Sequence, residues 1–249
     1  MENALLVGLS RQVALRRELD VVANNVANVN TAGFKNSQMV FQEYLMPVAS
    51  AETFPRGADR KLSYVEDKST WQDFSVGSIQ NTGNQLDVAI DGQAFFAVET
   101  PQGIRYTRNG EFQLDTQGRL VTNEGYPVIG NGGQITFAPN ETDFKIAEDG
   151  TISTSEGIRG RLTVNMFPGN RGLFPEGRST FRADLPPQIA TAEDARLLQG
   201  SIEKSNVEPV VETTRLIEIS RAYQTLSGMM EKQDELRNTA VRQLADIPA

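Results

Sequence analysis

Leu19-Asp20-Val21-Val22-Ala23-Asn24-Asn25-Val26-Ala27-Asn28-Val29-Asn30-Thr31-Ala32-Gly33-Phe34-Lys35 is where one kind of chain gives way to another. Up to Val29 the apolar residues keep a helical period. Leu15, Leu19, Val22, Val26 and Val29 step by four, three, four and three. That spacing places them on one stripe of an α-helix and predicts lengthwise packing on a second helix. Leu6, Leu9 and Val13 continue the stripe upstream, and no proline interrupts residues 2–29. Arg11, Arg16, Arg17, Glu18 and Asp20 supply a polar face. Then asparagines crowd in (Asn24, Asn25, Asn28, Asn30) and Gly33 follows. Both residue types tolerate left-handed backbone, so the helix is expected to end here. Gly33 is expected to allow a sharp exit, with Phe34 anchoring the turn in an apolar pocket. Two readings of the asparagines stay open: a capped, fraying helix end, or hydrogen bonds across subunits.

The opposite end of the chain mirrors this pattern. Over about residues 207–245, Leu216, Ile219, Tyr223, Leu226 and Met230 again step by three and four. Ala240 and Leu244 resume the stripe after Gln233 and Arg237. Pro209 suits a first helical turn, and Ser205 and Glu208 stand in a capping-box spacing. At about 1.5 Å per residue this helix is about 50–60 Å long.

Between the helices the period changes. Leu86–Ile90 alternates before Asp91-Gly92, and Ala94–Val98 runs apolar before Pro101-Gln102-Gly103. Ile104, Tyr106, Phe112 and Leu114 precede Asp115-Thr116-Gln117-Gly118, and the series continues through Ile135–Phe137, Phe144–Ile146, Ile152 and Leu162–Val164. Short strands separated by glycine-bearing turns predict an antiparallel β domain. Residues 36–75 hold Phe41, Tyr44, Phe54, Tyr64 and Trp71 and are too long and aromatic for a bare linker. They are expected to be a partly extended contact segment, and Asn170–Pro187 a loop. The expected fold is α+β: long N- and C-terminal helices forming a coiled-coil-like pair, with an inserted antiparallel all-β domain. The expected division is 1–35 and 201–249 as a terminal helical assembly domain, 36–75 as an extended connecting segment, and 76–200 as a β-rich outer domain.

Composition excludes much chemistry. The 249 residues include no cysteine and no histidine. Disulfides, thiolate nucleophiles, zinc fingers, iron–sulfur sites and Ser–His–Asp triads therefore drop out. A carboxylate pair, a lysine or a serine–lysine arrangement is what remains for catalysis. The expectation is nonetheless no catalytic residue, cofactor or metal. The formal charge of −8 opposes binding to a phosphate backbone, so no nucleic-acid partner is expected. No stretch approaches the eighteen or so apolar residues of a spanning helix. Ala4–Leu9 is short and follows the acidic Glu2, unlike a cleaved secretory signal.

A helix with one apolar stripe must bury it. Pairing the two terminal helices buries only part of their apolar surface. Leu5, Val7 and Val21 in the first, and Ile217, Ala222 and Met229 in the second, lie outside the main stripe. That surplus predicts further helices from neighbouring copies, and repeated head-to-tail packing that does not close makes a filament. An unpartnered helix is marginal in water, so ordering of the ends is expected to be coupled to assembly.

Three blocks carry a resemblance. Leu19 to Lys35 resembles the N-terminal signature of the flagellar rod and hook family: Leu-Asp, an Ala-Asn-Asn-x-Ala-Asn core, then Thr-x-Gly-Phe-Lys. Ser205-Asn206-Val207, Glu212, Ile219 and Arg221-Ala222-Tyr223-Gln224 resemble the C-terminal signature. Thr82–Gly92, Phe95-Phe96, Arg105–Gly110, Leu114-Asp115 and Gly118-Arg119-Leu120 resemble the shared β domain. Leu216-Ile217-Glu218-Ile219-Ser220 departs from the usual Met and Ala-Gln there while keeping the apolar period. Met1–Arg17 and the modest length resemble the proximal-rod branch. The resemblance implies a structural subunit of the basal body in the periplasmic space, exported through the flagellar type III apparatus without a cleaved signal. It implies partners among other rod proteins and copies of itself, with the termini as an inner tube and the β domain outside. The assembly interface expected from it and from the stripes comprises Leu15, Leu19, Val22, Asn24, Asn25, Val26, Asn28, Gly33, Phe34, Leu216, Ile219, Tyr223, Leu226 and Met230.

Three other readings are weighed. A carboxylate pair, Asp87 and Asp91, would suit glycoside hydrolysis, but an Asp near a strand end before Gly more often makes a turn. Gly130-Asn131-Gly132-Gly133 lacks the lysine of a phosphate loop. A secreted β-domain binding module and a distal-rod or hook-type axial protein are the remaining alternatives.

Overall fold

The computed structural model describes residues 2–46, 62–170, 172–191 and 193–245. Phe54 and residues 246–249 lie outside the described residues, as do the side chains of Leu5, Leu6, Phe41, Tyr44, Tyr64 and Leu244. Helix α1 is Glu2–Ala27 and α2 is Pro209–Ala245. Between them come β1 (Ser37–Met46), β2 (Leu62–Gln72), β3 (Ile79–Asn81), β4 (Val88–Gly92), β5 (Phe95–Thr100), β6 (Gly103–Thr107), β7 (Phe112–Leu114), β8 (Leu120–Thr122), β9 (Val128–Gly130) and β10 (Gly133–Gln134). They are followed by β11 (Lys145–Ile146), β12 (Thr151–Thr154), β13 (Gly157–Arg161), β14 (Val164–Met166), β15 (Leu173–Pro175), β16 (Thr180–Ala183), β17 (Gln188–Ile189), β18 (Ala195–Gln199) and β19 (Ser201–Glu203). The architecture is α+β, two terminal helices around antiparallel strands.

The chain forms two compact units. The helical unit comprises Met1–Val26, Ser37–Trp71 and Pro209–Ala249; the β unit comprises Ala27–Asn36 and Gln72–Glu208. These bounds differ from the expected ones. Residues 27–36 go with the strands because Gly33 N–H donates to the Glu203 carbonyl and Asn36 C=O accepts from Asp73 N–H. Residues 201–203 go with them because β19 pairs β3, Ser201 opposite Asn81. Residues 37–72 are no simple connector: β1 and β2 form a two-stranded ladder.

In the β unit the largest sheet runs β10-β9-β5-β6-β16-β15, with β14 joining β5 and β17 joining β14. Its main core holds Val88, Ile90, Phe96, Val98, Phe112 and Leu120 among others. A second core gathers Phe95, Ala97, Tyr106, Phe167, Leu173 and Phe181. Phe95 and Phe96 therefore serve opposite faces of β5, as successive strand residues must. Two expectations need correcting. Leu86–Ile90 is not a half-exposed alternation, because Val88, Ala89 and Ile90 are all fully buried. Asn170–Pro187 is not a plain loop: β15 and β16 make a hairpin that sends Leu173 and Phe181 into the second core.

In the helical unit α1 and α2 run antiparallel. Glu18 meets Arg215, Asn25 meets Glu212, and Gly8 faces Met230. Numbers along α2 fall as those along α1 rise. Helix α2 begins at Pro209, but not through the expected capping box. Ser205 Oγ accepts from Val207 N–H, closing a turn ahead of the helix.

Candidate assembly surfaces

The helix seam is built by residues seven apart. Gly8, Leu15 and Val22 recur at one heptad position, and a side chain there faces the partner helix. Leu15 and Val22 are buried with Ile219, and Leu19, Val26, Leu216, Tyr223 and Leu226 pack against them half-buried. At Gly8 an added Cβ would lie 3.5 Å from the Met230 sulfur, an ordinary contact distance, so this position faces Met230 across the seam. The expected upstream stripe is corrected here. Leu9 and Val13 are exposed because they sit off the Gly8–Leu15–Val22 line.

Outside the seam, α2 carries uncovered apolar side chains on more than one side. Ile217 and Met229, two of the surplus positions, are 52% and 64% exposed. Leu236 and Val241 are 71% and 60% exposed. They lie where α2 continues fifteen residues beyond Met230, while α1 has only six before Gly8. Val7 and Val21 are half-buried and Ala222 is exposed.

The asparagines divide. Asn24 is exposed on α1, whereas Asn25 is buried. Asn25 Oδ1 accepts from Ser37 N–H at 3.0 Å and its Nδ2 donates to Ser37 O at 2.9 Å. The amide thus satisfies both polar groups of one β1 residue, as a neighbouring strand would. Nδ2 also donates to Glu212 at 3.3 Å. Glu212 is buried in the first turn of α2, where the positive helix end favours a carboxylate.

The remaining expected positions are inside the β unit. Asn28 Oδ1 accepts from Thr31 Oγ1, and Phe34 is buried. Gly33 has φ +67°, and a Cβ there would come within 2.3 Å of the Asn109 nitrogen. Close backbone approach and left-handed geometry together require glycine. Beside it lies a buried charge cluster that the expected interface did not include. Glu203 Oε1 accepts from Lys35 Nζ at 2.7 Å and Gly77 N–H at 2.9 Å; Oε2 accepts from Arg108 Nε at 2.7 Å. Burial pushes the Lys35 ammonium below the usual lysine range, Glu203 pulls it back and Arg108 pushes it further down. Asn206 closes the site. Its Oδ1 accepts from Asn36 N–H and its Nδ2 donates to Asp73 O. The motif context flagged Lys35, Arg108 and Asn206, but nothing in Ser201-Ile202-Glu203 announced a buried carboxylate.

The catalytic alternative finds no geometry. Asp87 accepts from Thr82 Oγ1 and Asn84 Nδ2, closing a turn, and Asp91 is exposed opposite Arg196. Gly130 pairs with Gly133 across a hairpin turn. A cavity of about 340 Å³ is lined by Leu162, Val164, Ala195 and Leu197, with the chain neighbours Glu148 and Asp149 and with Arg161 at its polar side, and includes neither Asp87 nor Asp91.

Comparison with known proteins follows the same three blocks. Residues 5–35 match the family described as flagella basal body rod protein. Residues 89–154 match the flagellar hook protein FlgE/F/G D1 domain, and residues 198–243 the flagellar basal body rod FlgEFG protein C-terminal family. Flagellar basal-body rod protein FlgF of Caulobacter vibrioides is 41% identical over 252 residues, covering 99% of this chain and 100% of the relative. FlgF of Mesorhizobium japonicum is 32% identical, covering 98% of each. Flagellar basal-body rod protein FlgG of Bacillus subtilis is 32% identical over 95% of this chain and 97% of its own length. By this full-length similarity, the chain belongs to the flagellar basal-body rod protein family.

Proposed function

We propose that this chain is a structural subunit of the flagellar rod, placed in its proximal part, and that copies assemble through their terminal helices. It is not an enzyme, in keeping with relatives named as rod proteins. The observation that carries the assembly reading is the set of uncovered apolar side chains Ile217, Met229, Leu236 and Val241 on α2. Burying such surface is worth about 25 cal/mol per Å², and in one chain nothing described covers it. The seam residues Leu15, Leu19, Val22, Val26, Leu216, Ile219, Tyr223, Leu226 and Met230 hold the helices as a coiled-coil-like pair. That pair is the piece that docks, with Asn24 on its outer surface. Asn25, Asn28, Gly33 and Phe34 set how the chain leaves α1.

In the assembled rod α1 and α2 form the inner tube and the strands of the β unit the outer layer. Partners are other rod proteins and further copies of the chain. The chain reaches the periplasmic space through the flagellar export apparatus without a cleaved signal. The 41% identity to FlgF of Caulobacter vibrioides, against 32% to FlgG of Bacillus subtilis, supports the proximal placement over the distal one. Leu226→Asp is expected to abolish rod incorporation in vivo, whereas Arg242→Ala, at an exposed position, leaves it intact. Normal incorporation of both variants would refute assembly through this helix.

A further inference from the structure

Lys35, Glu203 and Arg108 are all buried in the β unit, and their charges do not balance. Two cations share one carboxylate. They are not held alike. Arg108 is the more heavily bonded of the two. Its Nε and Nη2 meet Glu203, Nη1 donates to Gly92 O and Ala94 O, and Nη2 to Ile90 O. The guanidinium is therefore stitched to the core strands, and with Glu203 it forms a neutral pair. Lys35 has two acceptors, Glu203 Oε1 and the Ser75 carbonyl.

The excess charge thus arrives with one short segment, Thr31–Asn36. That segment is attached by Gly33 N–H to Glu203 O, by Asn36 N–H to Asn206 Oδ1, by Asp73 N–H to Asn36 O, and by the burial of Ala32 and Phe34. Its docking adds an ion to an interior whose charge is already matched, and burying such an ion opposes docking. Local openings of this kind proceed at lower free energy than global unfolding.

We propose that Thr31–Asn36 is a strap that leaves the β unit as one piece while the sheet stays folded, and that the charge of Lys35 is what makes it releasable. Release would free the backbone that follows α1 without unfolding β5 and β6.

The groups facing Lys35 are Glu203 and Arg108 at contact and Asp73 nearby. Desolvation and Arg108 lower its proton affinity when docked, outweighing the pull of Glu203 and Asp73. The released strap regains ordinary lysine behaviour, so it binds more protons in the alkaline range. Raising the pH there favours docking.

The chain has no cysteine, so single thiols report cleanly. Ala32→Cys places one in the strap and Ala97→Cys one in the sheet; both positions are buried. In the full-length protein, with rates normalised to the denatured chain, the strap thiol is expected to react on the order of tenfold faster than the sheet thiol. Adding Lys35→Met is expected to slow strap labelling severalfold and leave the sheet thiol unchanged. Between about pH 8 and about pH 10, strap labelling should slow with Lys35 present and stay flat without it. Lys35→Gln, neutral and still able to donate to the Ser75 carbonyl, gives the same comparison if Met disturbs packing. Equal labelling at both positions overturns the strap. Faster strap labelling in both neutral variants overturns the role given to the charge.

Discussion

The β unit and the helical unit treat apolar residues in opposite ways. The β unit gathers sixteen buried residues in one cluster and six in another. Among the described residues, the seam of the helical unit has three buried apolar residues, although α2 alone is 37 residues long. A long helix supported by so little burial is marginal by itself. The contrast teaches that one region is finished by its own chain and the other is left open for neighbours.

The largest test of that contrast is in the β core. Phe96 is fully buried against Phe112, ring centroids 5.0 Å apart. Phe96→Ala is expected to cost about 3–5 kcal/mol, read by denaturant unfolding of the near-ultraviolet signal. A cost under about 1 kcal/mol would remove the claim that this unit stands alone. Next comes Ile219→Ala in the seam. Its neighbours are only half-buried, so the expected cost is about 2 kcal/mol, the low end for such truncations. Thermal loss of the helical circular dichroism checks it.

Asn25→Ala should cost about 1–3 kcal/mol, because Ser37 N–H and C=O lose the amide that satisfies them. Faster hydrogen exchange at Ser37, with β5 unaffected, would sharpen the boundary between the units. The smallest effect on the free chain belongs to Leu236→Asp. At 71% exposure it should shift monomer stability by no more than about 0.5 kcal/mol. The same change is expected to stop incorporation into the rod. Destabilisation of the monomer would mean that Leu236 serves its own chain.

Much of this was legible in the residues. The three–four stepping of Leu216, Ile219, Tyr223 and Leu226 announced α2, and the turns at Asp91-Gly92 and Asp115–Gly118 marked strand ends. What was not legible depends on partners distant in sequence. Leu9 and Val13 fit a stripe by spacing, yet the seam follows Gly8, a residue without a side chain to reveal it. Phe174 and Phe181 were hidden among Pro and Gly that read as loop. Lys35, Arg108 and Glu203 are charged, which argues for a surface, and only their meeting permits burial. For the same reason the residues that follow α1 look like its continuation to residue 35, although Ala27–Asn36 belongs to the β unit.

The most direct test of the central claim is an electron-microscopy map of isolated basal bodies at side-chain resolution, with this chain traced in the rod. Assembly through the helices predicts Ile217, Met229, Leu236 and Val241 buried against helices of adjacent subunits along the axis. A map in which those four residues face solvent, while subunits touch only through their β units, would contradict it.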